Sequence, residues 1–185
     1  MSPWPGRTLL VLFACLASTG SPALEIGDTP PDVVGRTLDG KTVRLSDSSA
    51  RLRIISFWAT WCPPCRRELP LLAAVAEQGG AHSVEVIAIN MQESRPLVRS
   101  AVKIMKDYPI RFAHDRNGTI ARQFGVRGIP HLVIVDANDL IVYKKIGYAE
   151  SQVDGIVAEV NRLIQQDRID QETRYAAEDA GAPTP

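Results

Sequence analysis

Arg53-Ile54-Ile55-Ser56-Phe57-Trp58-Ala59-Thr60-Trp61-Cys62-Pro63-Pro64-Cys65 is the stretch on which the fold turns. Its first half, Arg53 to Trp58, is a short run rich in β-branched and aromatic residues, the pattern of a buried strand. Pro63 suits the first position of a helix, where its missing N–H costs nothing, and Leu69, Leu71, Leu72, Val75 and Ala76 supply that helix with an apolar side. The order is strand, Cys-x-x-Cys, helix. A thiol reacts only once ionised, and the unpaired N–H groups and positive dipole end at a helix N-terminus stabilise a thiolate placed there. Cys62 is therefore the expected nucleophile. Cys65, one turn on, lies within disulfide reach, should be more buried, and can resolve a mixed disulfide. The other readings of a CxxC are half of a zinc site or a static bridge. Zinc takes about four ligands, whereas the one further cysteine is Cys15 and the histidines His82, His114 and His131 are scattered along the chain.

Trp61-Cys62-Pro63-Pro64-Cys65, with Pro70 five residues past the second cysteine and Gly128-Ile129-Pro130 far downstream, resembles the thioredoxin superfamily. Within it the chain is similar to the TlpA-like branch, the extracytoplasmic thiol-disulfide reductases that include ResA and the cytochrome c maturation proteins. The resemblance covers about residues 25 to 166. It implies an α/β thioredoxin fold: a central mixed sheet with helices on both faces, an N-terminal hairpin extension and a helical insertion. It also implies that Pro130 is the superfamily's cis-proline, packed against the dithiol, with an ordinary strand-start proline as the alternative. Trp61, Pro63 and Pro64 frame the cysteines.

Outward from this centre, 21 basic and 21 acidic residues cancel in a chain of 185 residues that is 45% apolar. That balance suits one globular domain and carries no nucleic-acid footprint. Arg7, the apolar run Thr8 to Ala17 and Ser21-Pro22-Ala23 together form a signal-peptide pattern over residues 1–23, too short in its apolar part to span a bilayer as a permanent anchor. An uncleaved anchor and lipidation of Cys15 are the alternatives. The domain would then span 24–166. Asp39-Gly40 signals a two-residue hairpin turn between Arg36-Thr37-Leu38 and Lys41 to Leu45. Val84 to Asn90 is a buried strand. Pro96 opens a helix through Val98, Ala101, Val102 and Met105, placed like the branch's insertion. Asp115 to Gly118 is a turn and Thr119 to Phe124 a short helix. Strands His131 to Val135 and Leu140 to Ile146 form a hairpin, and Ser151 with Asp154 caps a last helix ending near Ile164. Residues 167–185 are polar and end in Ala-Gly-Pro-Thr-Pro, which reads as a flexible tail. Right-handed crossovers would put the Cys62 loop at the carboxyl end of a central strand, where a partner can reach it.

Four further residues bear on the chemistry. Glu68 completes the CxxCxxE pattern of ResA-like reductases. It either exchanges protons with the dithiol or is a solvated first-turn glutamate. Glu93 reads first as a solvated loop acid, and otherwise as a wall of a partner cavity. His131 stands where the family often has threonine. It reads first as a hydrogen-bonded strand residue, and otherwise as a group that tunes the potential or lends a ligand to a metal. Ser56 occupies the position where ordinary thioredoxins carry a buried acid, which serine cannot replace as a base.

The expectation is an exported thiol-disulfide oxidoreductase with no cofactor beyond the Cys62–Cys65 disulfide. The resemblance implies a reductase of protein disulfides, with an apocytochrome c CxxCH segment as a client and a membrane thiol-reductase as electron donor. Two other classes stand beside it: a copper-handling assembly protein using Cys62, Cys65 and His131, and a thiol peroxidase using Cys62.

Overall fold

The computed structural model describes residues 23–181, so the signal-peptide reading and Cys15 lie outside the described residues. Seven strands form one mixed sheet in the order β2-β1-β5-β4-β3-β6-β7. Inside it, next to the central strand, is β3 (Leu52–Trp58), buried along its whole length. It pairs in parallel with β4 (Val84–Met91) and antiparallel with β6 (His131–Val135). Both faces are covered, so a continuous apolar run rather than an alternating one is what β3 requires.

The faces sort the side chains by parity. On one, Ile54, Val86, Leu132 and Ile134 pack against Leu72 and Val75 of α1 (Pro63–Gly79) and against Ile156 and Val160 of α4 (Val153–Gly181). On the other, Ile55, Phe57, Ile87 and Val133 meet Phe124, just past α3 (Thr119–Gln123). There the Phe57 and Phe124 ring centroids are 5.2 Å apart, and truncating such a buried Phe to Ala costs about 3–5 kcal/mol. A third cluster surrounds the cysteines: Trp58, Leu69 and Ala88, with Ala101, Val102 and Met105 from α2 (Arg95–Ile104) and the turn after it.

The fold is the α/β thioredoxin arrangement expected, with local differences. β5 (Ile110–Asp115) has no counterpart in the sequence reading; it pairs in parallel with β4 and carries the leader hairpin, whose Arg36 lies opposite His114. In that hairpin, β1 (Val33–Arg36) starts three residues before the expected Arg36-Thr37-Leu38 and ends at Arg36, whereas β2 (Thr42–Arg44) lies inside the expected Lys41 to Leu45. Thr37 N–H donates to the Lys41 carbonyl at 2.8 Å, leaving a three-residue turn that closes on Gly40 at φ 95° rather than the two-residue turn read from Asp39-Gly40. β7 (Ile141–Ile146) completes the second hairpin. Ser151 does not cap α4, because a 3-10 turn, Glu150–Gln152, leads straight into it.

Nor does α4 stop at its last apolar residue. Residues 167–181, read as a flexible tail, continue the helix. Arg51 grips Asp167 through two nitrogens, at 2.9 and 2.7 Å, and Gln166 and Gln171 make i,i+4 bonds to Asp170 and Asp167. No glycine or proline interrupts the stretch before Gly181. None of the helices among the described residues is long and apolar enough to cross a membrane.

Candidate functional site

β3 delivers the chain to the sheet's carboxyl edge, and the three residues after Ala59 turn it into α1. Cys62 is the N-cap of that helix: its backbone is extended, φ −90° and ψ 102°, and its Sγ accepts the Cys65 N–H at 3.2 Å. A capping residue normally offers an oxygen there; here a sulfur takes that place. The first turn holds no acidic side chain to oppose negative charge on Cys62. Cys62 and Cys65 are joined in a disulfide. Cys65 is fully buried, whereas Cys62 keeps 3% of its surface. Trp61, 69% exposed, stands beside that opening. Pro63 and Pro64 occupy the first helical positions, where no N–H is needed.

From across the sheet, the Ile129–Pro130 peptide closes over the pair. It is cis, as expected for Pro130, and the Ile129 carbonyl oxygen lies 3.8 Å from Cys62 Sγ. Proline brings no N–H of its own to this position, and the Pro130 carbonyl accepts the Gly147 N–H at 2.8 Å.

Glu68 is not a solvated first-turn acid. Three residues past Cys65 on the same side of α1, it is 1% exposed, and Ser56 Oγ donates to its Oε2 at 2.7 Å. Its Oε1 has no partner among the described residues. Burial pushes its pKa from 4.5 up to about 7, against the smaller opposing effects of the Ser56 hydrogen bond and the Lys145 charge. Lys145 reaches this face because it lies opposite Leu132, which in turn lies opposite Ser56. The acid that β3 lacks at Ser56 is thus supplied by α1, and Ser56 orients it. Burial thus holds a carboxyl three residues from Cys65 at a pKa near neutrality.

Glu93 departs further from its expected place in solvent. It is 8% exposed, and its carboxylate accepts from the Thr60 N–H (2.7 Å), the Thr60 hydroxyl (2.5 Å) and Asn90 Nδ2 (2.6 Å). It clamps the backbone two residues before Cys62 to the end of β4. His114 Nε2 lies 2.9 Å from the Glu93 carbonyl and fixes the same loop from β5. Thr60 and His114 were missed as supporting residues because each meets Glu93 across 33 and 21 positions of sequence, and Asn90, only three residues from Glu93, was missed because it reads as the last residue of a buried strand.

His131 is buried, but neither ring nitrogen has a hydrogen-bond partner among the described residues, so the expected hydrogen-bonded strand histidine is not what stands there. Its ring meets Phe57 edge-on, centroids 6.1 Å apart. Burial lowers its pKa, with Lys144 adding to the effect, so the ring is held neutral. Phe57 packs on the α3 side of the sheet and Ser56 on the other, so His131, opposite Phe57, is separated from Glu68 by the sheet itself. Among the described residues no three His, Cys, Asp or Glu side chains are grouped to hold a metal ion. A copper site made of Cys62, Cys65 and His131 is not assembled there.

Among the described residues Trp58 Nε1, Glu68 Oε1 and Asn90 Oδ1 are buried without a hydrogen-bond partner, as are atoms of Arg53, Arg111 and His131.

Comparison with known proteins agrees with this geometry. The Redoxin family model matches residues 25–161. The thiol-disulfide oxidoreductase ResA of Bacillus thuringiensis is 30% identical over 147 residues, covering 74% of this chain and 83% of the relative. ResA of Geobacillus thermodenitrificans is 32% identical over 138 residues, 70% and 78% of the two chains. A crystal structure assigned to the thiol:disulfide interchange protein DsbE of Chlorobium tepidum superposes with a TM-score of 0.67 at 26% identity, covering 77% of this chain and 99% of that one. With the paired cysteines at the head of α1 and a family match running from the leader hairpin into α4, the chain belongs to the Redoxin family, among its ResA-like thiol-disulfide oxidoreductases.

Proposed function

We propose that this oxidoreductase works outside the cytoplasm as a reductase of protein disulfides, with Cys62 as nucleophile and Cys65 as resolving thiol. The observation that carries this reading is the position of Cys62 Sγ as the helix cap, accepting the Cys65 N–H, beside an acid that titrates near pH 7. In the reduced protein the Cys62 thiolate attacks one sulfur of a client disulfide. The S–S bond breaks, the client's other sulfur leaves as a thiolate, and a mixed disulfide remains. Cys65 then gives its proton to the Glu68 carboxylate and attacks Cys62 Sγ, which expels the second client thiolate. The client has gained two electrons and this chain holds the Cys62–Cys65 disulfide. Because the compartment opposes reduction, the dithiol must be restored by a membrane thiol-reductase. By likeness to its ResA relatives, an apocytochrome c CxxCH segment is the proposed client, with envelope redox homeostasis as the wider setting.

The test is to trap the intermediate. Cys65→Ser leaves Cys62 without a resolving thiol. With an oxidised CxxCH peptide it should give a stable one-to-one mixed disulfide through Cys62, and Cys62→Ser should give none. An adduct through neither residue, or a wild-type chain that oxidises the reduced peptide instead, would contradict the proposal.

A further inference from the structure

β3, β4 and β5 are parallel neighbours, so their carboxyl ends open side by side along one edge. The end of β3 carries the dithiol. Two strand spacings away, about 10 Å along that edge, a separate cleft of about 330 Å³ lies beyond the end of β5. Its rim carries three arginines from three elements: Arg36 at the end of β1, Arg95 at the start of α2 and Arg116 just after β5. All three are exposed. Arg36 gives one N–H to the Gly40 carbonyl at 3.1 Å, and neither Arg95 nor Arg116 pairs with a carboxylate among the described residues. The one acid lining the cleft, Asp115, is buried and turned inward, its two oxygens accepting the Thr119 and Ala121 N–H groups at 2.9 Å each. The whole chain has a formal net charge of zero, so this concentration of cations is local.

The geometry points to a docking site for acidic side chains of the client polypeptide. The inference rests on the exchange reading above and adds a substrate preference to it. Arginine's planar fork binds carboxylates through two parallel N–H groups. Three exposed forks spread along a rim, rather than converging in a closed pocket, suit successive side chains of an extended chain more than one small anion. An extended chain advances about 3.3 Å per residue. Carboxylates some three to five residues from the target cysteine therefore fall over the cleft while that cysteine sits at Cys62.

Two disulfide peptides identical except for three Glu or three Gln at those positions test this. The wild type should reduce the acidic peptide with a kcat/KM roughly tenfold above the neutral one at low ionic strength, the worth of two or three exposed charge pairs. Raised salt should shrink the ratio. Arg95→Gln with Arg116→Gln should bring it near one, and R95E with R116E should invert it. Equal rates on both peptides in the wild type, or a preference that survives both pairs of substitutions, would overturn the site. Binding of a labelled, cysteine-free acidic peptide, followed by fluorescence anisotropy, reads docking without exchange. A failed exchange reaction and a failed docking site are thereby told apart. If inorganic phosphate binds the cleft and the peptide does not, the docking site is likewise overturned.

Discussion

Replacing Glu68 with Gln should change how stability depends on pH. In the folded chain burial raises the Glu68 pKa from 4.5 to about 7. Below about pH 4.5 the carboxyl is protonated in both folded and unfolded chains and adds no pH dependence. Between 4.5 and 7 the unfolded chain ionises while the folded one holds its proton, so stability is lost as pH rises; above 7 both are ionised and the loss is complete. At about 1.36 kcal/mol per pH unit, the full loss is about 3 kcal/mol. That is a large share of the roughly 5–15 kcal/mol that holds a typical domain folded. Glutamine keeps the volume and an oxygen for the Ser56 hydroxyl but cannot ionise. Its amide nitrogen takes a position without a protein partner, at a constant cost of about 1–3 kcal/mol. Urea unfolding of the oxidised protein at pH 4, 5.5, 7 and 8.5 reads the difference between variant and wild type. That difference should move in the variant's favour by up to about 3 kcal/mol across the range and flatten above pH 7. A flat difference, or a slope of opposite sign, would mean that Glu68 is ionised in the folded chain at ordinary carboxylate pH, and the proton role given to it would fall.

Ser56→Ala removes the donor to Glu68 Oε2, so the carboxyl should titrate higher still and the variant should lose about 1–3 kcal/mol at pH 8, less at pH 4, by the same unfolding measurement. Glu93→Gln weakens the clamp on Thr60; we expect about 2 kcal/mol of lost stability and a slower reaction of Cys62 with a model disulfide, and an unchanged rate would remove Glu93 from the positioning of the dithiol. For His131 the sign is opposite to that of Glu68. Its folded pKa is lowered, so stability present above about pH 6.5 is lost as pH falls and the unfolded chain takes up the proton first. His131→Phe should abolish that loss, and a variant whose acid sensitivity matched the wild type would show that another group is responsible.

The centre of the fold was legible because its signals are local. A β-branched run, a Cys-x-x-Cys and a helix with proline at its start follow one another within residues 53–79, and each constrains the next. β5 escaped notice because Ile110-Arg111-Phe112-Ala113-His114-Asp115 follows a proline and ends on two polar residues that read as a turn; it is a strand because β4 offers it an edge. Glu93 and His131 were misjudged for one reason: burial belongs to the assembled sheet, not to the residue. Glu93 looks like a loop acid until Thr60 and Asn90 converge on it. His131 looks like a strand residue with partners until Phe57 occupies the space beside its ring. Ser56 and Glu68, twelve positions apart, could each be singled out from the pattern, yet their hydrogen bond exists only because α1 folds back over β3. The polar end of α4 misled in the other direction, since a solvated helix needs no apolar face when Arg51 and side-chain pairs hold it.

The most direct test of the reductase reading is the reduction potential of the Cys62–Cys65 couple, measured by equilibration against a dithiol buffer at pH 7. A value near or below the roughly −270 mV of thioredoxin is the result predicted for a chain that passes electrons to client disulfides. A value near the roughly −120 mV of a strong periplasmic oxidant would contradict it and make this dithiol a donor of disulfides.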